Sequence, residues 1–218
     1  PGVGGWVFSN RYPLPVLGET LQVDSPLAGD HQRRNLALAI AAAVELRNHH
    51  GYNITPSHIA EGIRNTQWPG RLERFTLPGK PTVLLDVAHN PAGVWTLRAA
   101  VSSFLYPAPC TLHPVLHPVL VFGCMKDKAF TEMAQILFPL FETVITTPVA
   151  SPRSATAEEL AQVAAQTGVR AIAAPDAHQA LERAFSETPA DGLIVVAGSV
   201  YLIGEIRPIL LAQRALSA

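Results

Sequence analysis

The sequence predicts an α/β protein with a Rossmann-like, mainly parallel, doubly wound sheet. From residue 82 onward, strand-like and helix-like segments alternate in five successive units. Several strands are continuous apolar runs, such as Val119–Phe122 and Leu193–Ala197, which is typical of strands buried on both faces. Of the 218 residues, 48% are hydrophobic and 15% charged, a balance that excludes intrinsic disorder. Sheets of this kind bind ligands at the carboxyl ends of their strands.

The pattern changes at Trp68-Pro69-Gly70, where proline and glycine break the chain. We expect residues 1–67 to be the helical end of one domain and residues 68–218 to be a complete second domain. In the first part, the alternation over Thr20–Asp24 predicts a strand, and Asp30 is a plausible N-cap for a helix that Gly51 ends. The inward side chains of that helix are expected to be Leu36, Ile40, Ala43 and Leu46. Thr55-Pro56 opens a second helix that runs to about Arg64.

The second part is predicted to begin with an antiparallel hairpin, Arg71–Leu77 and Thr82–Val87, joined by a turn at Pro78-Gly79-Lys80. Strand and helix then alternate, and Pro208 is expected to kink or end the last helix. The further predicted strands are Val119–Phe122, Thr143–Thr146, Val169–Ala173 and Leu193–Ala197, and the helices begin at Asn90-Pro91, Phe130, Thr156, Asp176 and Ser199.

Charge and composition exclude several classes of function. With 16 basic and 17 acidic residues the net charge is −1, so no broad basic surface predicts a nucleic acid or an acidic membrane as partner. No apolar run approaches the ~20 residues of a membrane span. Two cysteines do not make a disulfide framework, and such low use suits a reducing cytoplasm. The chain starts at Pro1 with no basic-then-apolar leader, and we expect it to be a fragment or a processed product.

Polar residues follow three of the predicted strands. Asp86 ends an apolar strand just before Asn90-Pro91, where an acid can accept hydrogen bonds from a ribose and a helix N-terminus favours anions. Alternatively, Asp86 and Asn90 only cap the helix, and His89 is an ordinary loop histidine. Lys126 and Asp127 lie in the second loop, Gly123–Lys128, which is either an anion contact or an exposed charged turn.

Gly198-Ser199 is the third such segment, and it either holds a carboxylate or forms a plain N-cap. Upstream, His31 and Asn35 are four residues apart and share one helix face. Arg71 lies just after the break, where an arginine can reach a phosphate. Taken alone, each of these residues is as easily a surface group.

Other motifs are absent or uninformative. The tandem 112–115 and 116–119 places two histidines four apart, but Pro114 and Pro118 prevent the helix that would bring them together. We interpret it as a linker duplication and expect no metal site in this chain. No phosphate-cradling P-loop, no dinucleotide-binding glycine fingerprint and no Gly-x-Ser-x-Gly elbow occur.

Together, these segments are more specific than any one of them. In order and approximate spacing they resemble the folylpolyglutamate synthase and dihydrofolate synthase family of the Mur ligase superfamily, from about Leu21 to about Arg207. The His-Gln form at residues 31–32 is similar to the folate branch. The matching segments are His31-Gln32-x-x-Asn35, Trp68-Pro69-Gly70-Arg71-Leu72-Glu73, Asp86-x-Ala88-His89-Asn90-Pro91, Gly123-x-x-Lys126-Asp127-Lys128 and Gly198-Ser199-x-Tyr201-Leu202-x-Gly204-Glu205.

The resemblance implies an ATP-dependent ligase that adds L-glutamate to dihydropteroate or a folate through an acyl phosphate. It also implies roles for single residues: Asn35 near the adenine, Arg71 at the phosphates and Asp86 at the ribose. His89 and Ser199 resemble residues on the glutamate side, and Lys126 and Asp127 match the pattern without a role. Val87 departs from the family, which usually has glycine there.

The resemblance also indicates what this chain lacks. In the family, the P-loop, the Mg²⁺ ligands and most of the folate site lie in an amino-terminal domain, of which residues 1–67 resemble only the end. We therefore expect the isolated chain to be inactive. Two alternatives stay open: another Mur-type ligase, such as a muramyl or cyanophycin ligase, and a non-catalytic Rossmann-like binding module. The choice between dihydrofolate synthesis, polyglutamate extension or both, and the oligomeric state, are not encoded in these motifs.

Overall fold

A computed structural model of the chain describes residues 10–27, 29, 31–105 and 117–216. The chain forms two compact units, Pro1–Arg71 and Leu72–Ala218. The predicted N-cap Asp30 and residues 112–116 of the tandem lie outside the described residues.

The first unit contains a β-hairpin followed by two helices. Strand β1, Asn10–Val16, pairs antiparallel with β2, Glu19–Ser25, and helices α1, His31–His50, and α2, Pro56–Arg64, follow. The sequence did not indicate β1, because Pro13 and Pro15 weaken a strand pattern. Pro13 and Pro15 are two positions apart, so their missing N–H groups lie along the same edge of β1. In a two-stranded sheet each strand has a free edge, where a missing N–H group is tolerated.

The predicted helices of this unit are present. Thr55 caps α2, accepting from the backbone N–H of His58 at 3.2 Å, and Pro56 opens the helix. In α1, Leu36 and Ile40 are buried as expected, but the prediction for Leu46 was wrong because 38% of it is exposed. The buried core of the unit unites the hairpin with both helices: Val16, Leu21, Val23, Leu36, Ile40, Ile59 and Ile63.

The second unit is built on a six-stranded sheet in the order β3-β4-β8-β5-β6-β7, in which only β3 is antiparallel. Its strands are β3 (Glu73–Phe75), β4 (Thr82–Leu85), β5 (Pro118–Phe122), β6 (Thr143–Thr146), β7 (Arg170–Ala173) and β8 (Leu193–Ala197). Its helices are α3 (Pro91–Leu105), α4 (Phe130–Leu137), α5 (Ala157–Gln166), α6 (Ala177–Glu187) and α7 (Val200–Ala215), with a 3₁₀ turn at Phe138–Leu140.

The strand order explains why helices cover both faces of the sheet. The chain advances in one direction from β4 through β5 and β6 to β7, and then returns to place β8 between β4 and β5. Because right-handed crossovers put helices on opposite faces when the direction reverses, α3–α5 and α6–α7 lie on different faces. Residues of α6 and α7 pack with alternate strand residues such as Val83, Val121 and Val196. The α/β, mainly parallel, doubly wound fold with an antiparallel hairpin strand is therefore confirmed.

The sequence predicted that Pro208 kinks or ends the last helix, and the second of these outcomes does not occur. Pro208 lies inside α7, which continues to Ala215. A proline ring clashes with the residue four positions earlier and leaves its carbonyl without an intrahelical donor. Here that residue is Gly204, which is exposed and has open space where a side chain would begin, so water can reach its carbonyl. Among the described residues, no helix is both long and apolar enough to cross a membrane.

Candidate functional site

The carboxyl ends of three adjacent strands are tied together by backbone hydrogen bonds. Gly198, after β8, donates its N–H to the carbonyl of Ala88, in the loop after β4, at 3.0 Å. Gly123, after β5, donates to the carbonyl of Ala197 at 3.3 Å. The three loops that the sequence singled out in this unit therefore form one continuous edge, with the loop after β8 in the middle.

Glycine at this edge is required by close backbone contact. A Cβ at Gly198 would lie 2.6 Å from the carbonyl oxygen of Gly123, and the φ of Gly198 is +109°. A Cβ at Gly123 would in turn lie 2.6 Å from the carbonyl oxygen of Thr147, which follows β6. Both distances are shorter than a carbon–oxygen contact allows, so the loops can approach this closely only without side chains.

Asp86 is buried at this edge, with 7% of its surface exposed. Its Oδ1 accepts from the N–H of Ala88 at 2.9 Å, and its Oδ2 accepts from the N–H of Leu72 at 3.0 Å. The helix α3 is instead capped by Asn90, whose Oδ1 accepts from the N–H of Gly93 at 2.8 Å. Asp86 is thus not the cap of α3.

His89 and Ser199 flank the contact between the loops after β4 and β8. His89 is exposed, and its Nδ1 lies 2.9 Å from the carbonyl oxygen of Val87. Since a carbonyl can only accept, Nδ1 carries the hydrogen, and Nε2 of the neutral ring is an acceptor. Ser199 is buried and caps α7, because its Oγ accepts from the N–H of Tyr201 at 3.1 Å. Its own O–H is a donor, so capping and ligand binding are compatible for this residue.

Lys126 and Asp127 are exposed, and both form ion pairs with the region after β6. Lys126 Nζ lies 3.2 Å from Glu159 Oε1, and Asp127 Oδ2 lies 3.4 Å from Arg153 Nη1. The pKa of Glu159 is lowered, first by the backbone N–H of Thr156 and then by Lys126. The sequence analysis did not single out Arg153. Its position in the loop after the predicted strand Thr143–Thr146 could have identified it, because that loop also lies at the carboxyl edge of the sheet.

Cys124 is fully buried next to these residues. Burial raises the pKa of its thiol to about 12, with a smaller contribution from the charge of Asp127. A thiol with this pKa is not a nucleophile at neutral pH. Cys124 is therefore a packing residue.

Asn35 and Arg71, the other two candidate residues, belong to the first unit. Asn35 Nδ2 donates to Gln32 Oε1 at 2.9 Å, and Gln32 Nε2 lies 3.0 Å from His31 Nε2. Gln32 is buried whereas Asn35 is exposed, so the buried amide fixes the orientation of the exposed one. The guanidinium of Arg71 lies 5.6 Å from the ring centre of Trp68, within cation–π distance.

A groove of about 490 Å³ lies between α1 and α2 of this unit, and Asn35 is one of its few polar lining residues. Its walls are mainly apolar, and Trp68 is one of the residues that line it. Apolar walls with a few convergent polar groups are typical of small-molecule sites. Its main apolar lining residues are Leu27, Leu36, Ala39, Ile40, Ala43, Ile54, Ile59 and Ile63.

A metal site does not emerge from the part of the chain that the structure describes. Within it, no three or more His, Cys, Asp or Glu side chains come together in a way that would hold a metal ion. The described residues therefore do not fit a Mg²⁺ site, and no chemistry of this chain is assigned to that ion.

Residues 70–200, more than half of the chain, match the family described as Mur ligase, glutamate ligase domain. The chain belongs to the Mur ligase family. The match begins within the Trp68-Pro69-Gly70-Arg71 segment and includes the three tied loops.

This Mur ligase chain is similar to the C-terminal part of folylpolyglutamate synthases, as its motifs indicated. It is 31% identical over 198 residues to the folylpolyglutamate synthase of Lacticaseibacillus casei, covering 90% of this chain and 42% of that protein. It is 35% identical over 196 residues to a probable bifunctional folylpolyglutamate synthase/dihydropteroate synthase of Haloferax volcanii, covering 87% of this chain and 21% of that protein.

Among solved structures, the chain resembles the Mycobacterium tuberculosis folylpolyglutamate synthase complexed with ADP and AMPPCP. The TM-score is 0.74 at 29% identity, covering 92% of this chain and 45% of that one. The chain thus spans less than half the length of these relatives.

Proposed function

We propose that this chain is the carboxyl-terminal part of an ATP-dependent ligase that joins L-glutamate to dihydropteroate or a folate. Residues 1–67 are then the end of the central ATP-binding domain, and residues 68–218 are the Mur-type C-terminal domain. The observation that carries the proposal is the edge made by the loops after β4, β8 and β5. Asp86, His89 and Ser199 lie in the loops that follow two adjacent strands, β4 and β8. The proposal also assigns the enzyme to the cytoplasm.

The proposed chemistry converts the carboxylate oxygen of the acceptor, which is a poor leaving group, into a phosphate, which is a good one. The γ-phosphoryl group of ATP passes to a carboxylate oxygen of the acceptor, giving ADP and an acyl phosphate. The amine of L-glutamate attacks the acyl carbon, the carbon–oxygen bond to phosphate breaks, and an amide and inorganic phosphate result. Such a reaction needs mainly positioning and neutralisation of charge. A bound Mg²⁺ would neutralise charge on the phosphates, and we place its ligands outside this chain.

The proposed binding of ATP uses three residues of the chain. Asn35 meets the adenine, and its orientation is set by Gln32. Arg71, held against Trp68, brings a permanent positive charge to the phosphates. Asp86 accepts from the ribose hydroxyls while its backbone bonds keep the carboxylate in one orientation.

The proposed contacts to glutamate use the other two candidate residues. The neutral ring of His89 presents Nε2 as an acceptor, which suits a hydrogen bond from the amine that attacks. The O–H of Ser199 donates to an oxygen of glutamate or of the acyl phosphate. Lys126 and Asp127 have a structural role in this proposal, since both bind side chains of the region after β6.

The test is a ligation assay of the complete product of the gene that encodes this chain. Radiolabelled L-glutamate is supplied with ATP and one of three acceptors: dihydropteroate, tetrahydrofolate or a UDP-muramyl peptide. We expect incorporation with a pterin acceptor and none without ATP. Consumption of ATP with the muramyl acceptor and not with a pterin acceptor indicates another Mur-type ligase, and ATP binding without consumption with any acceptor indicates a binding module.

Two variants and one control connect the assay to the site. Arg71→Ala and Asp86→Ala should each raise the KM for ATP at least about tenfold or abolish turnover. Arg74→Ala is the matched control, because Arg74 is an exposed arginine three residues later. Unchanged kinetics in both site variants would refute the assigned residues. The isolated 218-residue chain should show no turnover, and sustained turnover by it would show that no further domain is needed.

A further inference from the structure

An ion pair connects the last helix of the second unit to the first strand of its sheet. Arg207, on α7, donates from Nε to both carboxylate oxygens of Glu73, on β3, at 3.0 and 2.9 Å. The two side chains are mostly shielded, with 31% and 22% of their surfaces exposed. Both residues lie at the ends of segments that match the ligase family: Glu73 ends Trp68–Glu73, and Arg207 lies two residues after Gly204-Glu205. The proposed function assigns neither residue to ligand binding.

The residue before Glu73 has an unfavourable backbone conformation. Leu72 has a φ of +49°, in the left-handed region of backbone conformations that residues other than glycine and asparagine rarely adopt. Such a conformation persists only where the surroundings hold it in place. Leu72 has two such restraints of its own: its side chain is buried, and its N–H donates to Asp86 Oδ2 at 3.0 Å. The pair between Glu73 and Arg207 is a third restraint, one residue away.

Helix α7 therefore reaches the candidate site at two points. Its N-cap is Ser199, and Arg207 lies eight residues later, about 12 Å along the helix. Helix α7 thus positions the hydroxyl of Ser199. Through Glu73, the same helix also positions Leu72, whose N–H donates a hydrogen bond to Asp86.

We propose that Glu73 and Arg207 are a positioning pair for nucleotide binding. The pair holds Leu72 in its left-handed conformation, the N–H of Leu72 then stays on Asp86 Oδ2, and the carboxylate keeps the orientation in which it meets the nucleotide. Neither residue touches the nucleotide. The proposal rests on the function proposed above only in assigning Asp86 to ATP.

The first test concerns the backbone and uses the 218-residue chain. In Arg207→Gln, hydrogen exchange at the Leu72 amide, followed by NMR, should become at least about tenfold faster, while exchange in β6 stays unchanged. The double variant Glu73→Arg/Arg207→Glu should restore slow exchange. Arg170→Gln is the control, since it removes a comparable ion pair, Arg170–Glu187 at 2.7 Å, at the far edge of the sheet. Unchanged exchange at Leu72 in Arg207→Gln overturns the proposal.

The second test concerns binding and uses the complete gene product. Arg207→Gln and Glu73→Gln should raise the KM or Kd for ATP about tenfold with kcat changed less than about twofold, and the charge swap should recover most of the loss. Equal losses in kcat and in thermal stability, or unchanged ATP affinity with faster Leu72 exchange, overturn it. If the wild-type protein binds ATP but ligates no glutamate, the proposed ligase function is wrong. The Kd values of the variants for ATP still test the role of the Glu73–Arg207 pair in that case.

Discussion

The two units of this chain contain similar proportions of helix but differ in how much of their secondary structure is buried. Helix α1 of the first unit has 20 residues, of which three are buried: Gln32, Leu36 and Ile40. Helix α4 of the second unit has eight residues and buries four of them. Strands β5, β6 and β8 are buried at every position. The second unit thus contains strands that are buried on both faces, whereas β2 of the first unit has both exposed and buried positions.

The first unit has a small buried core, and large apolar side chains remain exposed on it. Leu38 of α1 is 70% exposed and Trp68 is 56% exposed. A two-stranded hairpin with two helices offers little area to bury, and small domains of this size are marginal without further support. The comparison therefore predicts that stability is concentrated in the second unit, and four experiments examine this prediction.

The largest effect is expected from separating the units. Residues 72–216 should fold as an isolated polypeptide with a cooperative thermal transition and a dispersed amide spectrum, because their core is complete. Residues 10–71 alone should show neither feature. Circular dichroism and NMR of the two fragments measure this, and a cooperative transition in the shorter fragment would contradict the comparison.

Glycine substitutions should act in opposite directions in the two units. Gly198→Ala should lower the free energy of unfolding of the second unit by more than about 2 kcal/mol, since its Cβ would clash with the carbonyl of Gly123. Gly62→Ala, in α2, meets only open space and should stabilise the first unit by about 0.5–1 kcal/mol through helix propensity. Chemical denaturation of each variant gives both values. Equal effects would show that the edge of the sheet can relax.

Carboxylates should also differ between the units. Asp86→Ala leaves two buried N–H groups, of Leu72 and Ala88, without their acceptor and should cost roughly 3 kcal/mol of unfolding free energy. Asp24→Ala in the hairpin removes a solvent-exposed pair with Arg11 and should cost less than about 1 kcal/mol. Urea titrations of both variants decide this. A cost below about 1 kcal/mol for Asp86→Ala would mean that water replaces the carboxylate.

The smallest effect is expected from acid. In the second unit the pKa values of Glu159, Asp176 and Glu187 are all lowered, by the backbone N–H of Thr156, the backbone N–H of Gln179 and Arg170 respectively. A lowered pKa contributes stability above the ordinary carboxyl range, and this is lost as pH falls through the folded-state pKa.

The melting temperature of residues 72–216 should therefore fall between about pH 5 and pH 3, by an amount limited by solvent screening. Glu159→Gln should make this fall shallower than in the wild type. A matched slope in the two proteins would exclude Glu159 as a contributor.

Much of the second unit could be predicted from the sequence, because its signals are local. Short apolar runs bounded by turns defined β6 and β8 to the residue, and the Thr156-x-x-Glu159 capping box defined the start of α5. The hairpin strand β1 was missed because two prolines mask its alternation. Pro208 does not end α7, and the residue four positions before it, Gly204, is exposed.

The candidate site could be predicted only in part, for a physical reason. Asp86, His89 and Ser199 follow strands, so their approximate position followed from the parallel sheet. Their contacts did not, because the partners of Asp86 and of Arg207 are set by how distant segments pack. Glu73 and Arg207 are 134 residues apart in sequence, and neither lies in a pattern that identifies the other.

The position of β8 has a consequence for synthesis on the ribosome. This strand lies in the middle of the sheet, although it is the last of the six to be translated. Until residues 193–197 emerge from the exit tunnel, the nascent chain holds two partial sheets, β3-β4 and β5-β6-β7, each with an unpaired apolar inner edge. Such edges recruit other chains. A stop codon between residues 174 and 193 should therefore give a polypeptide with two unjoined partial sheets, which is expected to aggregate or to bind chaperones.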